Sequence, residues 1–152
     1  MKKVVLAIFL AVSALLSMAN AQSNALGLRF GIGDGTNAEV SYQRNLSSDN
    51  RLEIDLGLDL GGSESFRVAA IYQWVWDLSG LADGFKWYVG PGAGAFFYKG
   101  GMSIGAVGNV GIEYNFNIPL QLSLDFRPGW YFFEGGNDFG WGGVGLGVRY
   151  KF

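Results

Sequence analysis

The chain reads as all-β, an eight-stranded antiparallel up-and-down transmembrane β-barrel. Three observations predict that fold. Apolar and polar side chains alternate with a period of two, in segments of about ten residues separated by turn-forming residues. Beyond an apolar leader, no run is long enough to cross a bilayer as a helix. Aromatic side chains gather near segment ends and leave an aliphatic middle.

The leader comes first. Lys2 and Lys3 precede an apolar run from Val4 to Leu16, and Ala19-Asn20-Ala21 supplies the small-x-small pattern cut by signal peptidase. The run is too short for a membrane anchor, which takes roughly 20 residues. Residues 1–21 are therefore expected to be a cleaved signal peptide, with the barrel domain over 22–152 starting at Gln22. Without Lys2 and Lys3 the eleven basic residues become nine against thirteen acidic ones, a net charge of −4. Nothing there resembles the clustered basic face of a nucleic-acid binder, so no nucleic-acid partner is expected. The chain has no cysteine, which excludes a lipid-anchored cysteine and disulfide stapling alike.

Eight segments follow, over 25–33, 36–46, 50–61, 65–78, 85–98, 102–116, 119–132 and 140–152. The third shows the alternation most plainly. Leu52, Ile54, Leu56, Leu58 and Leu60 share one face, and Arg51, Glu53, Asp55, Gly57 and Asp59 share the other. The seventh sets Leu120, Leu122, Leu124 and Phe126 against Gln121, Ser123, Asp125 and Arg127, and the eighth sets Val144, Leu146 and Val148 against Gly143, Gly145, Gly147 and Arg149. Gly, Asn, Asp and Ser fill the connections, as turns require. An even strand number places both ends on one side, periplasmic for an outer-membrane barrel. The connections at 34–35, 62–64, 99–101 and 134–139 then face outward. Pro91 and Pro128 lack the N–H that a ladder needs, so each is expected to mark a bulge.

A soluble lipocalin-like barrel would share this pattern but turn its apolar face inward. Aromatic placement separates the two. Tyr42, Trp74, Trp76, Phe85, Trp87, Tyr114, Phe116, Tyr150 and Phe152 lie at the ends expected to be periplasmic, and Phe66, Phe97, Trp130 and Phe132 at the opposite ends. Two belts around an aliphatic band suit a bilayer with its two headgroup levels, whereas a ligand cavity has no reason to sort its rings so. The apolar face then points to lipid. Arg29, Glu39, Glu53, Asp55, Asp59, Arg67, Lys86, Glu113, Asp125, Arg127 and Arg149 point into a narrow lumen, where they are expected to neutralise one another as an ion-pair network. Lumen glycines are expected to make room for Tyr88, Phe96, Tyr98, Tyr131 and Trp141. Eight strands leave an interior that side chains fill, so an open pore is not expected.

The run Gly145-Leu146-Gly147-Val148-Arg149-Tyr150-Lys151-Phe152 resembles the terminal targeting signal of bacterial outer-membrane barrels. That resemblance implies recognition of Tyr150 and Phe152 by the barrel-assembly machinery, and outer-membrane lipid and lipopolysaccharide as surroundings in a Gram-negative envelope. The layout of the whole mature chain looks like the small OmpA/OmpX-type barrels. Tyr72-Gln73-Trp74-Val75-Trp76, Tyr88-Val89-Gly90-Pro91-Gly92-Ala93-Gly94 and Gly111-Ile112-Glu113-Tyr114-Asn115-Phe116 resemble the small outer-membrane barrel sequences common in Bacteroidota. Its outward connections are short where OmpX-like relatives extend theirs, which argues against an adhesin.

Chemistry is the weakest signal. Barrel enzymes that modify lipid A, cleave phospholipids or cleave peptides rely on histidine, and this chain has none. Glu53, Asp55 and Asp59 could do acid–base work, but carboxylates alternating along a lumen strand read more simply as partners for arginine. Gly31-Ile32-Gly33-Asp34-Gly35 and Gly90-Pro91-Gly92-Ala93-Gly94 imitate nucleotide loops without the helix that a phosphate loop needs. Asp34, Glu64, Glu134 and Asp138 oppose only Lys99 on the outward side, with no calcium-loop spacing, so a solvated surface is the simpler reading. No catalytic residue, metal or cofactor is expected. The expected role is structural or interaction-type, and the alternative is a barrel that binds or transports a small hydrophobic ligand.

Overall fold

A computed structural model describes residues 24–33 and 35–152, so the leader expected over 1–21, like Asp34, lies outside the described residues. The strands run β1 (Asn24–Gly33), β2 (Gly35–Asn45), β3 (Asn50–Asp59), β4 (Phe66–Asp77) and β5 (Phe85–Tyr98). They continue as β6 (Gly101–Asn115), β7 (Leu120–Phe126), β8 (Gly129–Phe133), β9 (Gly136–Gly140) and β10 (Val144–Lys151). Every pairing is antiparallel. From β1 to β6 each strand pairs with the next, β7 continues from β6, and β10 lies between β7 and β1. The sheet therefore returns to its own first strand, which leaves no long edge for hydrocarbon to strand without partners.

Ten strands make eight crossings. β7 and β8 are two parts of one crossing, interrupted at Arg127-Pro128, and both pair with β6 in the same register: Val110 faces Phe126 and Val107 faces Gly129. β9 and β10 are likewise two parts of the last crossing. All-β class, strand number, antiparallel order and closure agree with the sequence reading, and the first six strands begin and end within two residues of the expected bounds. The ends meet. Asn24 N–H donates to the Phe152 carbonyl at 3.1 Å, and Phe152 N–H donates back to Asn24 at 2.9 Å.

Three local expectations need correction. The connection expected over 134–139 is largely strand, because β9 pairs with β8 from Phe133–Gly136 to Gly129–Gly140 and extends the last hairpin past the body of the barrel. Pro91 makes no bulge: Ile71 faces Gly92 and Trp74 faces Val89, so the register is the same on both sides of it. Nor does the extra residue sit at Pro128. Between the Phe126–Val144 and Gly129–Gly140 pairs, two residues on one strand oppose three on the other, Trp141, Gly142 and Gly143. That is a bulge in the last crossing. Gly142 and Gly143 have φ of 66° and 71°, backbone that a side chain would strain. Since facing alternates residue by residue, the extra residue inverts which side chains point inward. Gly145 and Arg149 face the lumen below the bulge, and above it Asp138, opposite Tyr131, lies on that side. Trp141 consequently stands outside at 68% exposure, stacked edge-on against Phe139, and does not line the lumen.

Candidate functional site

The lumen is built from residues of one parity on each strand. β1 contributes Arg29, β2 Glu39, Ser41 and Gln43, β3 Arg51, Glu53 and Asp55, and β4 Gln73. β6 gives Asn109 and Glu113, β7 Ser123 and Asp125, and β10 Arg149; all are buried, as is Arg127 at the break between β7 and β8. Glycines opposite them create the space. A Cβ on Gly145 would overlap the Arg29 guanidinium, and a Cβ on Gly111 would come within 2.5 Å of the Tyr88 ring. The glycines thus admit arginines as well as the expected ring of Tyr88. Tyr98 is 39% exposed and, like Trp141, does not fill the lumen.

Four guanidinium groups meet five carboxylates. Arg29 grips Asp125 with two nitrogens, Nε to Oδ2 at 2.9 Å and Nη2 to Oδ1 at 2.6 Å, and its Nη1 donates to Glu39 at 3.0 Å. Arg127 bridges three acids, Glu39 at 3.1 Å, Glu53 at 3.1 Å and Asp55 at 2.5 Å. Arg149 reaches Glu53 at 3.2 Å and the hydroxyls of Ser41 and Ser123 at 2.9 and 2.7 Å. Arg51 pairs with Glu113 at 2.6 Å and lies 4.5 Å above the Tyr88 ring. Neutral groups join the pairs: Gln43 donates to Glu53 at 2.6 Å, and Gln73 donates to Asn109, which donates to Asp125. Charges this deep are tolerable only when paired and hydrogen-bonded. The arrangement fixes strand positions across the barrel, since Arg29–Asp125 and Arg127–Asp55 join strands that are not neighbours.

Of the eleven charged residues expected to line the lumen, three stand outside this web. Asp59, at the end of β3, accepts from the Gly61 N–H at 2.8 Å and from the Ser63 hydroxyl, which folds it into the following loop. Arg67 lies 5.3 Å over the Phe96 ring and forms no ion pair among the described residues, Asp59 sensing its charge only from beyond contact distance. Lys86, near the terminal end, forms no ion pair among the described residues, and its register partner Glu113 is held by Arg51. Arg51 and the amides Gln43, Gln73 and Asn109 complete the web although none was expected in it. Their inward parity and polarity were the available signal.

Toward the end opposite the termini the web stops at an apolar layer of Ala69, Ile71 and Val107, against which Tyr131 packs. Above that layer a cavity of about 420 Å³ opens to the exterior between Arg67, Phe96, Ser103, Tyr131 and the β8–β9 hairpin.

Outside, the distribution is reversed. Leu124, Leu146 and Ile104 are 50%, 51% and 54% exposed, whereas no arginine of the web exceeds 6%. Trp74, Trp76, Trp87 and Tyr150 are exposed at the terminal end, where Tyr114 is half-buried, and Phe97, Trp130 and Phe132 are exposed at the other. Trp76 stacks on Trp87 at 4.5 Å, and Phe85 packs against Tyr114 at 4.8 Å with its ring tilted. Tyr42 departs from the belt expected of it. It is buried, with its hydroxyl donating to Asn24 at 2.7 Å, so that phenol is satisfied by β1 instead of standing out with the tryptophans.

No family model matches the chain, and no curated protein matches it either. Solved structures do. The N-terminal β-barrel domain of Pseudomonas aeruginosa OprF superposes with a TM-score of 0.70 at 15% identity, over 88% of this chain and all of that one. The fold is that of the small eight-stranded transmembrane barrels. Neisserial surface protein A aligns with a TM-score of 0.63 at 15% identity, covering 85% of this chain and 94% of its own. A de novo designed transmembrane β-barrel aligns with a TM-score of 0.60 at 13% identity, over 88% of this chain and 98% of that one. A designed sequence reaches the same backbone, so the likeness is one of architecture and speaks to fold alone.

Proposed function

We propose that the protein is an integral outer-membrane barrel of a Gram-negative bacterium, with a plugged lumen and a structural or interaction role instead of an enzymatic one. The observation that carries this reading is the inversion of polarity, with paired charges inside and large apolar side chains outside. In water such a surface would be an aggregation hazard. In a bilayer it is the required one, since closed strands leave no backbone group unpartnered in hydrocarbon. Outer-membrane lipid and lipopolysaccharide are then the surroundings of the belts. Tyr150 and Phe152, at the end of β10, are the residues proposed to be read by the assembly machinery.

The non-enzymatic reading rests on the absence of histidine and on the state of the lumen acids. Glu39, Glu53, Asp55, Glu113 and Asp125 each bind at least one guanidinium, which leaves none poised as a lone acid or base. A passage for a hydrophobic ligand through the barrel is less well supported, because Tyr88 is fully buried beneath Arg51 and Trp141 lies outside.

The test is fractionation of cells expressing the full chain, followed by refolding of the purified protein in detergent and reconstitution into planar bilayers. Recovery with the outer membrane, β-rich circular dichroism, a heat-modifiable gel shift and no steady conductance are expected. Recovery in a soluble fraction, or a stable ion-conducting state, would overturn the reading.

A further inference from the structure

We propose that the outer mouth is a binding site for a small monoanionic carboxylate with an aromatic or branched aliphatic body. The site lies beyond the plugged lumen and adds to that reading without depending on it. Its floor is the layer of Ala69, Ile71 and Val107. Along β4 the inward positions run Arg67, Ala69, Ile71, Gln73, and along β6 they run Ser103, Gly105, Val107, Asn109, so apolar residues separate the mouth from the polar web on both strands. The volume, about 420 Å³, falls in the range of small-molecule sites, roughly 300–1,000 Å³.

The charge pattern selects the ligand. Arg29, Arg51, Arg127 and Arg149 each have a carboxylate within 3.2 Å. Among the described residues Arg67 alone of the inward-facing arginines forms no ion pair; Asp59 feels its charge from beyond contact distance, and the Arg67 side chain borders open volume. Its guanidinium is held over the Phe96 ring, which leaves its edge donors for a planar acceptor such as a carboxylate. Ser103, the register partner of Phe96, brings its hydroxyl to the same wall of the cavity. Phe96, Tyr131 and Phe133 give the apolar body three rings to lie against. Asp138 stands at the rim on β9, where it disfavours a second negative charge on the ligand and so favours a monoanion over a dianion.

The experiment uses the full mature barrel in nanodiscs, with 3-phenylpropionate as the probe and its uncharged amide, 3-phenylpropanamide, as the comparison. Amide chemical shifts are followed by NMR. Saturable shifts confined to Phe96, Ser103, Tyr131 and their neighbours are expected for the acid, with at least tenfold weaker binding of the amide. R67Q is expected to weaken the acid by about tenfold, the scale of a lost charge-assisted hydrogen bond. D138N is expected to tighten it by about twofold by removing a like charge from the rim. Equal binding of acid and amide, shifts spread along the aromatic belts, or an unchanged affinity in R67Q would each overturn the site. Should R67Q fail to fold, the acid–amide comparison and D138N decide the question in folded protein.

Discussion

Glu53 joins three side chains, taking Arg127 on one oxygen and Arg149 and Gln43 on the other. Replacing it with alanine leaves two guanidinium groups under-paired in a space that water enters with difficulty. E53A and R127A should each lower stability by about 3–5 kcal/mol, as loss of one partner of a buried pair does. D138A, on the exposed hairpin, should change it by less than about 0.5 kcal/mol. Urea midpoints in detergent or vesicles check this, and equal losses at all three positions would mean that the lumen charges are not buried partners. Alternation in the sequence was enough to place Arg29, Glu39, Glu53, Asp55, Asp125, Arg127 and Arg149 on the inner face. It does not state which arginine meets which acid, because partners such as Arg29 and Asp125 are 96 residues apart. Arg51 shares the inward parity of Glu53 and Asp55, yet parity does not name Glu113 as its partner, and Asp59, of the same parity, is drawn into its loop instead. A local turn bond competes with a distant ion pair, and parity alone cannot weigh the two.

At the scale of the strand, the bulge in the last crossing governs what the mouth presents. Gly143 takes φ of 71° with its Cα side pressed against the Ile32 carbonyl, whereas Gly135, with φ of 98°, has open space around it. G143A should therefore cost about 1–3 kcal/mol in backbone strain and a further steric penalty, while G135A should show the strain alone. Chemical unfolding of the pair tests this; identical midpoints would remove the close approach between the bulge and β1 from the account. Strand spacing and bounds were legible from period-two patterning and turn residues as far as β6. The last crossing was not, because a single inserted residue leaves composition unchanged and still inverts facing. Trp141 shows the effect: counted by twos from Arg149 it belongs in the lumen, and one extra residue puts it outside. Composition, not facing, conceals β9, whose Gly-Asn-Asp content reads as a connection although it pairs along its length with β8.

For the whole molecule, the reversed polarity makes the cost of a charge depend on which wall receives it. Leu124 is half exposed on the aliphatic band between Ile112 and Leu146, so L124R should destabilise the inserted barrel by roughly 2–4 kcal/mol. L124A, which keeps the face uncharged, should cost far less. Folding into vesicles measures both, and an innocuous L124R would contradict lipid exposure of that face. The bonds between Asn24 and Phe152 carry a different consequence. Because the two ends of the described chain lie side by side, the order in which strands are strung together is separable from the order in which they stand. A circular permutant that links Phe152 to Asn24 and opens the chain at Gly61–Gly62 should refold in detergent with its heat-modifiable mobility intact, since every strand keeps both neighbours. In cells the same permutant buries Phe152 within a linker and should fail to reach the membrane if that terminus is the address. Where the barrel is stable and how it is delivered would then be answered by one molecule.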